Sequence, residues 1–589
     1  MKTRCYAGLL LLCLHAVPLP AAEEFIRVNQ VGYLPRESKI AIALGSSELA
    51  DSFTVCDAAS GATAWSGPAH RLAGAAWGKF TWLVELDFTR LDKPGRYVLR
   101  QGDAQSPPFT IAEGVYVGLP DELLEFMREQ RCGYNPFLDQ TCHQQDGRAA
   151  YGPMPDGTFV DCTGGWHDAA DLLKYLLTSG NATAQMLLAW RLAADPAIFQ
   201  DHVQADGRPG ANGVPDLLDE ARWGLQWMLK LHPSPELLIH QVADDRDHCG
   251  WRLPKDDFAD YGWGRGGCRV VYSANGKPQG LKDYKSDSTG VANLAGRYAA
   301  AMALAGMIFK ERDPAFAAQC LQAGIEVYAL GRAHPGVQQG NSFNAPYHYA
   351  ETTWADDMEW SAAALYEATG RRQYLAEAQD YATQAADESW MGKEQTGHYQ
   401  YYPFVNVGHF MLYKFAGPAL QRRLAGYYRR GIERSLAMSR KNPFRAGAPF
   451  IWCSNNLMAG LVTQCLLYER MTGDGRYQEF CCRQRDWLLG RNPWGVSMFT
   501  GIPTGGVYPR HPHLMTAELT GRAVRGGLVD GPVYERIFKT LKGVSAPGVD
   551  AYAPFQSQLA VYHDDLHDYS TNEPTLDGTA SAILMWALF

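Results

Sequence analysis

The sequence predicts a mainly helical protein, a toroid of paired helices preceded by a small β-sandwich. From Phe25 to about Ile111, short alternating apolar runs are separated by Gly and Pro turns, a pattern typical of strands. After about Val115, apolar residues recur at helical spacing in long segments separated by Gly-rich or polar loops. No fixed-period repeat is evident in the sequence, which disfavours a solenoid and favours a closed ring.

Residues 1–22 have the layout of a secretory signal peptide. Lys2 and Arg4 precede an apolar stretch from Ala7 to Val17, and small residues follow up to Ala22. The apolar stretch is too short to span a bilayer. We therefore expect cleavage near Ala22 and a secreted or periplasmic protein.

Composition restricts the partners of the exported chain. The 589 residues carry a formal net charge of −9, which argues against nucleic acid or an anionic membrane surface as the partner. The 13 cysteines are sparse for this length, so disulfides are not expected to be the main support of the fold. We expect a monomer that binds no nucleic acid and does not insert into membranes.

Residues 23–113 form the predicted sandwich. Its strands are indicated by the runs Ile40–Ala43, Phe53–Val55, Phe80–Val84 and Tyr97–Leu99. No cluster of His, Cys or carboxylate residues stands out in this part of the sequence. A packing or spacer role is therefore the simpler interpretation.

Residues 114–589 form the predicted helical ring. The clearest helical segments are Asp168–Leu192, Asp216–Leu231, Gly290–Phe309, Ala362–Thr369, Tyr374–Ala386, Pro418–Met438, Leu457–Met471 and Asp577–Leu588. Closure of the ring would bring the first and the last of these helices together. Loops at one end of the inner helices would then form a cleft.

Two acidic motifs lie near opposite ends of the ring sequence. The first contains Asp168 and Asp171, and the second runs from Tyr562 to Glu573. Asp168 and Asp171 are three residues apart at a predicted helix start, so both can face one point. Ring closure would set them opposite Glu573, as an acid and a base face each other in the hydrolysis of a glycosidic bond. The alternative is that Asp168 caps a helix and Asp171 is a solvated carboxylate.

These motifs also carry a family resemblance. The run Gly164-Gly165-Trp166-His167-Asp168-Ala169-Ala170-Asp171 resembles the first acidic motif of glycoside hydrolase family 9. The run from Tyr562 through Asp564 and Tyr569 to Glu573 resembles the C-terminal signature of that family. Ile26–Tyr33 resembles the start of the immunoglobulin-like module that precedes many of its catalytic domains. The departures from the family pattern, at Ala170 and Thr579, touch no carboxylate.

The resemblance implies an (α/α)6 barrel that cleaves β-1,4-glucosidic bonds in cellulose-type β-glucans with inversion, as an endoglucanase or cellulase does. It implies that Asp171 is the general base, that Asp168 helps to hold the attacking water, and that Glu573 is the general acid. An inverting enzyme needs roughly 6.5 to 9.5 Å between acid and base, so that the water fits. Burial and the negative Asp171 are expected to keep Glu573 protonated.

The segment from Asn492 to His513 resembles the substrate-binding histidine loop of the family. Ungapped spacing selects His511 as the binding residue, whereas the local Pro-His dipeptide selects His513. Asp564 and Tyr569 are expected beside the site, although a surface carboxylate is an alternative for Asp564. Aromatic rings in Gly-rich or polar loops are further candidates for sugar binding, namely Trp263, Tyr347, Trp354, Trp494 and Tyr508.

Two metal sites follow from the same resemblance. Cys132, Cys142, His143 and His167 make a Cys2His2 set suited to tetrahedral zinc, and family members with such a set hold a structural zinc. The alternative is a disulfide between Cys132 and Cys142.

The run Thr352-Thr353-Trp354-Ala355-Asp356-Asp357 resembles a calcium-binding loop of the family, since calcium prefers hard oxygen ligands. An acidic helix N-terminus explains Asp356 and Asp357 almost equally well. No organic cofactor is expected.

Other functions remain open at the level of sequence. One alternative is an exo-acting β-glucosidase or glucosaminidase of the same family. Polysaccharide lyases also use helical toroids, but they would need a basic cleft, whereas the best motifs here are rich in carboxylates. A non-catalytic glycan-binding protein is the third alternative, and the complete set of Asp168, Asp171 and Glu573 argues against it.

Overall fold

The structure is a computed structural model that describes residues 23–345, 348–386, 407–541, 544 and 549–589. The predicted signal peptide lies outside the described residues. Among the described helices, none combines the length and apolar character that crossing a bilayer requires.

Nine strands form the N-terminal β-sandwich. They are β1 (Glu24–Arg27), β2 (Gly32–Tyr33), β3 (Ile40–Gly45), β4 (Ser52–Asp57), β5 (Thr63–Arg71), β6 (Trp82–Asp87), β7 (Gly95–Gln101), β8 (Ala104–Gln105) and β9 (Phe109–Ile111). Their order is β1-β3-β6-β5-β4-β7-β9-β2, with β8 paired to β7. All pairs are antiparallel except β2 with β9.

The core of the sandwich is built from the inward-facing residues of these strands. Val55, Phe88, Leu99 and Phe109 are among those with almost no exposed surface. The predicted strands fall within β3, β4, β6 and β7, except that β6 begins after Phe80. The Phe80 ring stacks on Phe555 of the helical region at 5.1 Å between centroids, and this contact places it outside the sheet.

Fourteen α-helices are described beyond the sandwich. They are α1 (Leu119–Glu129), α2 (Leu176–Leu192), α3 (Asp216–Lys230), α4 (Ala292–Ile308), α5 (Pro314–Ala333), α6 (Ala355–Thr369), α7 (Arg372–Ala385), α8 (Val407–Tyr413), α9 (Pro418–Ser439), α10 (Ser454–Thr472), α11 (Gln478–Leu488), α12 (Met515–Thr520), α13 (Glu535–Phe538) and α14 (Leu576–Ala587).

Twelve of these helices form two concentric layers. The inner helices contact one another in the order α2, α4, α6, α8, α10 and α14, and α14 packs back on α2 to close the ring. The outer helices α3, α5, α7, α9, α11 and α1 each pack against an inner partner. The inner α4 and α14 are buried along nearly their whole length, whereas the outer α7 and α9 bury one face. This arrangement is the predicted (α/α)6 barrel, and the predicted fold class is confirmed.

The helix predicted to begin at Asp168 begins instead at Leu176, so this part of the prediction is wrong. The backbone N–H of Asp168 bonds the carbonyl of Leu173 at 2.9 Å, which closes residues 168–173 into a loop. Lys174 and Tyr175 then pair with a strand, so the chain is extended immediately before the helix. The approach of Asp168 to Asp171 therefore comes from a loop and not from helical periodicity.

Six short strands in the barrel region were also not predicted. They are β10 (Tyr134–Asn135), β11 (Gln140–Thr141), β12 (Arg148–Ala150), β13 (Lys174–Tyr175), β14 (Ile239–Val242) and β15 (Val270–Ser273). Four of them form a sheet in the order β12-β15-β14-β13. Strands of two to four residues are too short to show a periodicity in sequence.

The sandwich is joined to the barrel by buried polar contacts. The Gln30 side chain donates to the carbonyl of Gly495 at 3.0 Å and accepts the N–H of Val507 at 2.8 Å. Arg485 on α11 forms hydrogen bonds to Glu37 at 2.6 and 2.8 Å. The sandwich thereby contacts the predicted histidine loop directly, because Gly495 and Val507 belong to that loop.

Candidate active site

The loop that carries Asp168 and Asp171 is anchored by a buried ion pair. Arg131 makes two hydrogen bonds to Glu220 on α3, at 3.1 and 2.8 Å, and the indole N–H of Trp166 donates to Glu220 at 2.8 Å. Gly165 has a φ of +74°, and a Cβ there would lie 2.5 Å from the Trp227 ring. The glycine therefore lets the loop pass close to that ring.

Asp168 is buried at the base of the site. One carboxylate oxygen accepts a hydrogen bond from the Thr178 hydroxyl, and the other accepts one from the Tyr349 hydroxyl. Burial and the neighbouring Asp171 and Asp577 raise the pKa of Asp168 well above its usual range, and the two hydroxyl donors oppose this. The geometry fixes this carboxyl in one orientation.

Asp171 lies at the tip of the same loop. Its Oδ1 accepts the backbone N–H of Leu173 at 3.0 Å, and its Oδ2 lies 3.6 Å from Nε2 of His248. His248 is partly exposed, and burial lowers its pKa, but the carboxylates of Asp171, Asp247 and Asp245 together outweigh burial, so that the pKa is raised. Sequence reasoning missed His248, because it lies in the polar run Asp244-Asp245-Arg246-Asp247-His248, where nothing marks it as a site residue.

Glu573 comes from the other end of the barrel sequence, three residues before α14. Its Oε1 accepts the backbone N–H of Ala170, between Asp168 and Asp171, at 3.0 Å. Burial, followed by the nearby Asp530 and Asp171, raises the pKa of Glu573 well above its usual range. The two acidic motifs therefore meet in one site, as ring closure predicted, and Glu573 is suited to hold a proton.

Asp564 holds the predicted histidine loop. Its carboxylate accepts the backbone N–H groups of Arg510 and His511, at 2.8 Å each. The carbonyl of His511 accepts a hydrogen bond from Asn572 at 2.7 Å. The loop is therefore tied to the segment that leads to Glu573, and the His511 side chain is exposed.

His513 lies in a row of rings beside the site. Its ring centroid is 5.0 Å from that of Trp251 and 6.2 Å from that of Tyr569, and Tyr569 stacks on Trp452 at 5.8 Å. Nδ1 of His513 pairs with the Leu566 carbonyl at 2.5 Å. We call Trp251, His513, Tyr569 and Trp452 the aromatic wall. Trp251 and Trp452 were not predicted, because nothing in a single sequence separates them from core tryptophans.

Comparison with known proteins decides the family. Residues 116–588 match the model of glycosyl hydrolase family 9. Residues 21–106 match the model of the cellulase N-terminal immunoglobulin-like domain. The chain belongs to glycosyl hydrolase family 9. The family resemblance read from the acidic motifs is confirmed, and with it the assignment as a glycosidase.

Relatives of this family 9 protein cover nearly its whole length. A xyloglucan-specific endo-β-1,4-glucanase of Bacteroides ovatus is 26% identical over 95% of this chain and 93% of its own. A metagenome-derived family 9 endoglucanase structure has a TM-score of 0.76 at 27% identity and covers 96% of this chain and 98% of its own. A Zn-binding triple mutant of another family 9 endoglucanase has a TM-score of 0.76 at 25% identity, over 94% and 99%.

The family 9 barrel carries a cluster of cysteine and histidine side chains that could hold a metal ion, next to the loop that carries Asp168 and Asp171. The candidate ligand atoms of Cys132, Cys142, His143 and His167 all lie within 4.8 Å of one another. Cys132 Sγ is 3.6 Å from His143 Nδ1, Cys142 Sγ is 4.0 Å from His167 Nε2, and the two histidine nitrogens are 3.4 Å apart. Both cysteines are free thiols in the structure.

Two of these distances match a tetrahedral zinc ion, and the third, 4.0 Å between Cys142 Sγ and His167 Nε2, is longer than the ideal value by about 0.4 Å. Zinc–sulfur bonds of about 2.3 Å and zinc–nitrogen bonds of about 2.0 to 2.1 Å place two nitrogens about 3.4 Å apart and a nitrogen and a sulfur about 3.6 Å apart. His143 also pairs with Asp257 at 3.1 Å through its other nitrogen, and Lys174 lies 3.4 Å from Cys132. A carboxylate on the outer nitrogen orients a histidine ligand, and an ammonium group balances thiolate charge.

The acidic residues of the predicted calcium loop lie beside a buried arginine. Asp357, in the first turn of α6, accepts a hydrogen bond from Arg297 at 2.7 Å, and Arg297 also pairs with Glu351. Burial raises the pKa of Asp356 to about 6, with the Arg297 guanidinium opposing that rise. A guanidinium therefore already supplies positive charge here, and the calcium prediction is unconfirmed.

The predicted exposed aromatic residues have different outcomes. Trp494 is wrong as an exposed platform, because it is 1% exposed and packs edge-on against Trp77 and Trp487. Trp263 is 37% exposed. Trp354 is half-buried beside Tyr381, with 6.0 Å between ring centroids.

The two predicted tyrosines also differ. Tyr508 is half-buried beneath the Arg510 guanidinium, which lies 3.7 Å from its ring centroid. Tyr347 lies outside the described residues.

Proposed function

We propose that this chain is a secreted, inverting endo-β-1,4-glucanase in which Glu573 is the general acid and Asp171 the general base. The observation that carries the proposal is the hydrogen bond from the Ala170 N–H to the Glu573 carboxylate. It puts an acid from the C-terminal motif beside the two carboxylates of the first motif. A reducing-sugar assay on soluble barley β-glucan tests the activity, and the absence of product would overturn the proposal.

Glu573 supplies the proton in the proposed reaction. It gives this proton to the glycosidic oxygen as the bond to the anomeric carbon breaks, so that the sugar leaves as a neutral alcohol. Its raised pKa keeps the proton available at pH values where an ordinary glutamate is ionised. As pH rises through that raised pKa, the acid form and the activity are lost together.

Asp171 activates the water in the proposed reaction. It removes one proton from a water that attacks the anomeric carbon from the opposite face, so one water is consumed for each bond broken. Asp168, fixed by Thr178 and Tyr349, orients the same water. Exchange with solvent then removes the proton from Asp171 and returns one to Glu573.

The aromatic wall is the proposed binding surface for glucose rings next to the bond that is cleaved. Flat aromatic faces suit the apolar faces of sugars, and Tyr569 lies four residues from the proposed acid. His511, which is held by Asp564, is the proposed polar contact at the wall's edge, and His513 supports the wall from within.

We expect Trp251→Ala to raise KM for cellohexaose by about 10-fold, the equivalent of about 1.4 kcal/mol, with kcat changed less than KM. Trp82→Ala, on the sandwich surface where Trp82 stacks on Arg71, is the control and is expected to keep both constants. Steady-state kinetics on both variants measure the effect. Equal values for Trp251→Ala and the unmodified protein would contradict the role of the wall.

A structural zinc at Cys132, Cys142, His143 and His167 belongs to the same proposal. A closed site with four protein ligands leaves no position for a reacting water, so the ion would tether the loop that carries Asp168 and Asp171.

We expect elemental analysis of the purified protein to find one zinc per chain, and Cys142→Ala to lose it together with several degrees of melting temperature. Cys162→Ala, which removes a buried thiol of the same loop outside the cluster, is expected to keep the zinc. A metal-free protein with two fewer titratable thiols would show a disulfide between Cys132 and Cys142 instead.

Several finer assignments complete the proposal. The signal layout supports cleavage near Ala22. We also propose a sandwich domain to about residue 113 and a barrel domain from residue 114, in a protein that acts as a monomer. Xyloglucan belongs in the assay beside barley glucan and cellulose, because the Bacteroides ovatus relative is named for it. Products from cellohexaose distinguish internal cleavage from an exo-acting β-glucosidase or glucosaminidase, which would release single sugars.

A further inference from the structure

Asp530 is a buried carboxylate beside the proposed acid that the proposed mechanism does not use. It is 4% exposed and lies in the segment between the histidine loop and α13. Its backbone N–H donates to the carbonyl of Glu573 at 2.8 Å, and Val529 forms a bridge with Pro574. Through these contacts the segments that carry Asp530 and Glu573 lie side by side.

The surroundings of Asp530 are unusual for a buried acid. The Cys453 thiol lies 3.3 Å from its Oδ1, and a thiol is a weak hydrogen-bond donor. Within the described part of the chain, no Lys, Arg or His forms an ion pair with either Asp530 or Glu573. Buried carboxylates normally carry such a partner, because an unpaired buried charge is costly.

The charged and titratable groups around this pair are almost all acidic. They come from the catalytic loop, from the segment before α10, from the C-terminal motif and from α14, and they are Asp168, Asp171, Cys453, Asp568, Tyr569 and Asp577. Two adjacent carboxyl groups without a cation cannot both be ionised easily, so the pair retains a proton that a single carboxyl would lose.

We propose that Asp530 is a positioning residue that keeps the catalytic proton on Glu573. Burial and the acidic neighbours also raise the pKa of Asp530, so the pair holds its last proton to high pH. Once Asp530 is ionised, its negative charge opposes the ionisation of Glu573. After Glu573 has given its proton to the leaving oxygen, two anions face each other, and their repulsion favours the return of a proton from water. The inference rests on the proposed role of Glu573 as the acid.

The test is the pH dependence of kcat/KM on barley glucan for Asp530→Asn. Removal of the neighbouring charge makes Glu573 lose its proton at lower pH, so the alkaline limb is expected to move down by about 1 pH unit or more. Values at the acid end of the profile, where Glu573 is protonated in both proteins, are expected to change little. Asp219→Asn, a buried carboxylate on the outer helix α3, is the matched control and is expected to leave the limb in place.

Asp530→Ser is the second variant, because it removes the charge and keeps a small polar group beside Cys453. It is expected to move the limb in the same direction. An alkaline limb that stays in place or moves up, in a variant that is folded by circular dichroism, would overturn the inference.

The parallel variant Glu573→Gln keeps the two proposals separate. If it loses only the natural glucan, Glu573 is the acid, and an unmoved limb in Asp530→Asn then overturns the role of Asp530 alone. If Glu573→Gln retains full activity on glucan, the proposed function fails first.

Discussion

Glu573→Gln is expected to lower kcat/KM on barley glucan by about 10³-fold while it keeps kcat/KM on 2,4-dinitrophenyl β-cellobioside within about 10-fold. A sugar alkoxide is a poor leaving group and must be protonated as the bond breaks, whereas dinitrophenolate is stable as an anion. Glutamine is nearly isosteric and still accepts from the Ala170 N–H. The loss is therefore expected to come from the missing proton rather than from altered packing.

The same variant should also lose the alkaline limb on the dinitrophenyl substrate. The raised pKa of Glu573 means that activity is present below that pKa and is lost as pH rises through it, and an amide has no proton to lose in this range. Glu518→Gln, an exposed glutamate on α12, is the control and should keep the profile. Equal losses on both substrates would contradict the assignment of Glu573 as the acid.

Asp171→Asn is expected to lose activity on both substrates by about 10³-fold or more, because water needs a base whatever the leaving group is. Added azide attacks without giving up a proton, so it should restore cleavage of the dinitrophenyl substrate. Asp161→Asn, an exposed carboxylate before the same loop, should behave like the unmodified protein. Unimpaired activity in Asp171→Asn would show that Asp171 is not the base.

The stereochemistry of the unmodified protein separates a base from a nucleophile at Asp171. Direct attack by water on a β-linked glucan gives the α-anomer as the first product, and proton NMR follows it before mutarotation. A first product of β configuration would mean a covalent intermediate on the protein, with Asp171 as the nucleophile. The expected distance between acid and base, roughly 6.5 to 9.5 Å, would then be wrong as well.

Sequence predicted the long elements well and the loops poorly. The helices at Pro418 and Asp216 begin at the predicted residues, because proline and acidic residues mark helix starts and their apolar spacing persists over many turns. The start of α2 was placed eight residues early. There the backbone is held by the local hydrogen bond from Asp168 to Leu173 and by pairing with strand β14, and the local sequence does not reveal the distant strand.

The site residues that lie in sequence motifs were predicted, whereas those that reach the site from other segments of the fold were not. Asp168, Asp171 and Glu573 were predicted from two motifs about 400 residues apart, and the structure brings them together. His248, Tyr349 and Asp530 reach the site from three other segments, none of which carries a signal that distinguishes it from an ordinary loop. Trp494 shows the opposite error, because a tryptophan in a Gly-rich loop can still be buried at a domain interface.

Because the ring closes by packing α14 on α2, the candidate site is completed only at the end of synthesis and folding. The proposed base, Asp171, is synthesised early, whereas the proposed acid, Glu573, is synthesised just before α14, so a chain still leaving the ribosome lacks the proposed acid. Contacts between segments so distant in sequence also form slowly. Hydrolysis of glucan therefore indicates that the whole barrel has closed. A chain truncated before Glu573 is expected to show no hydrolysis of glucan, whether or not it folds.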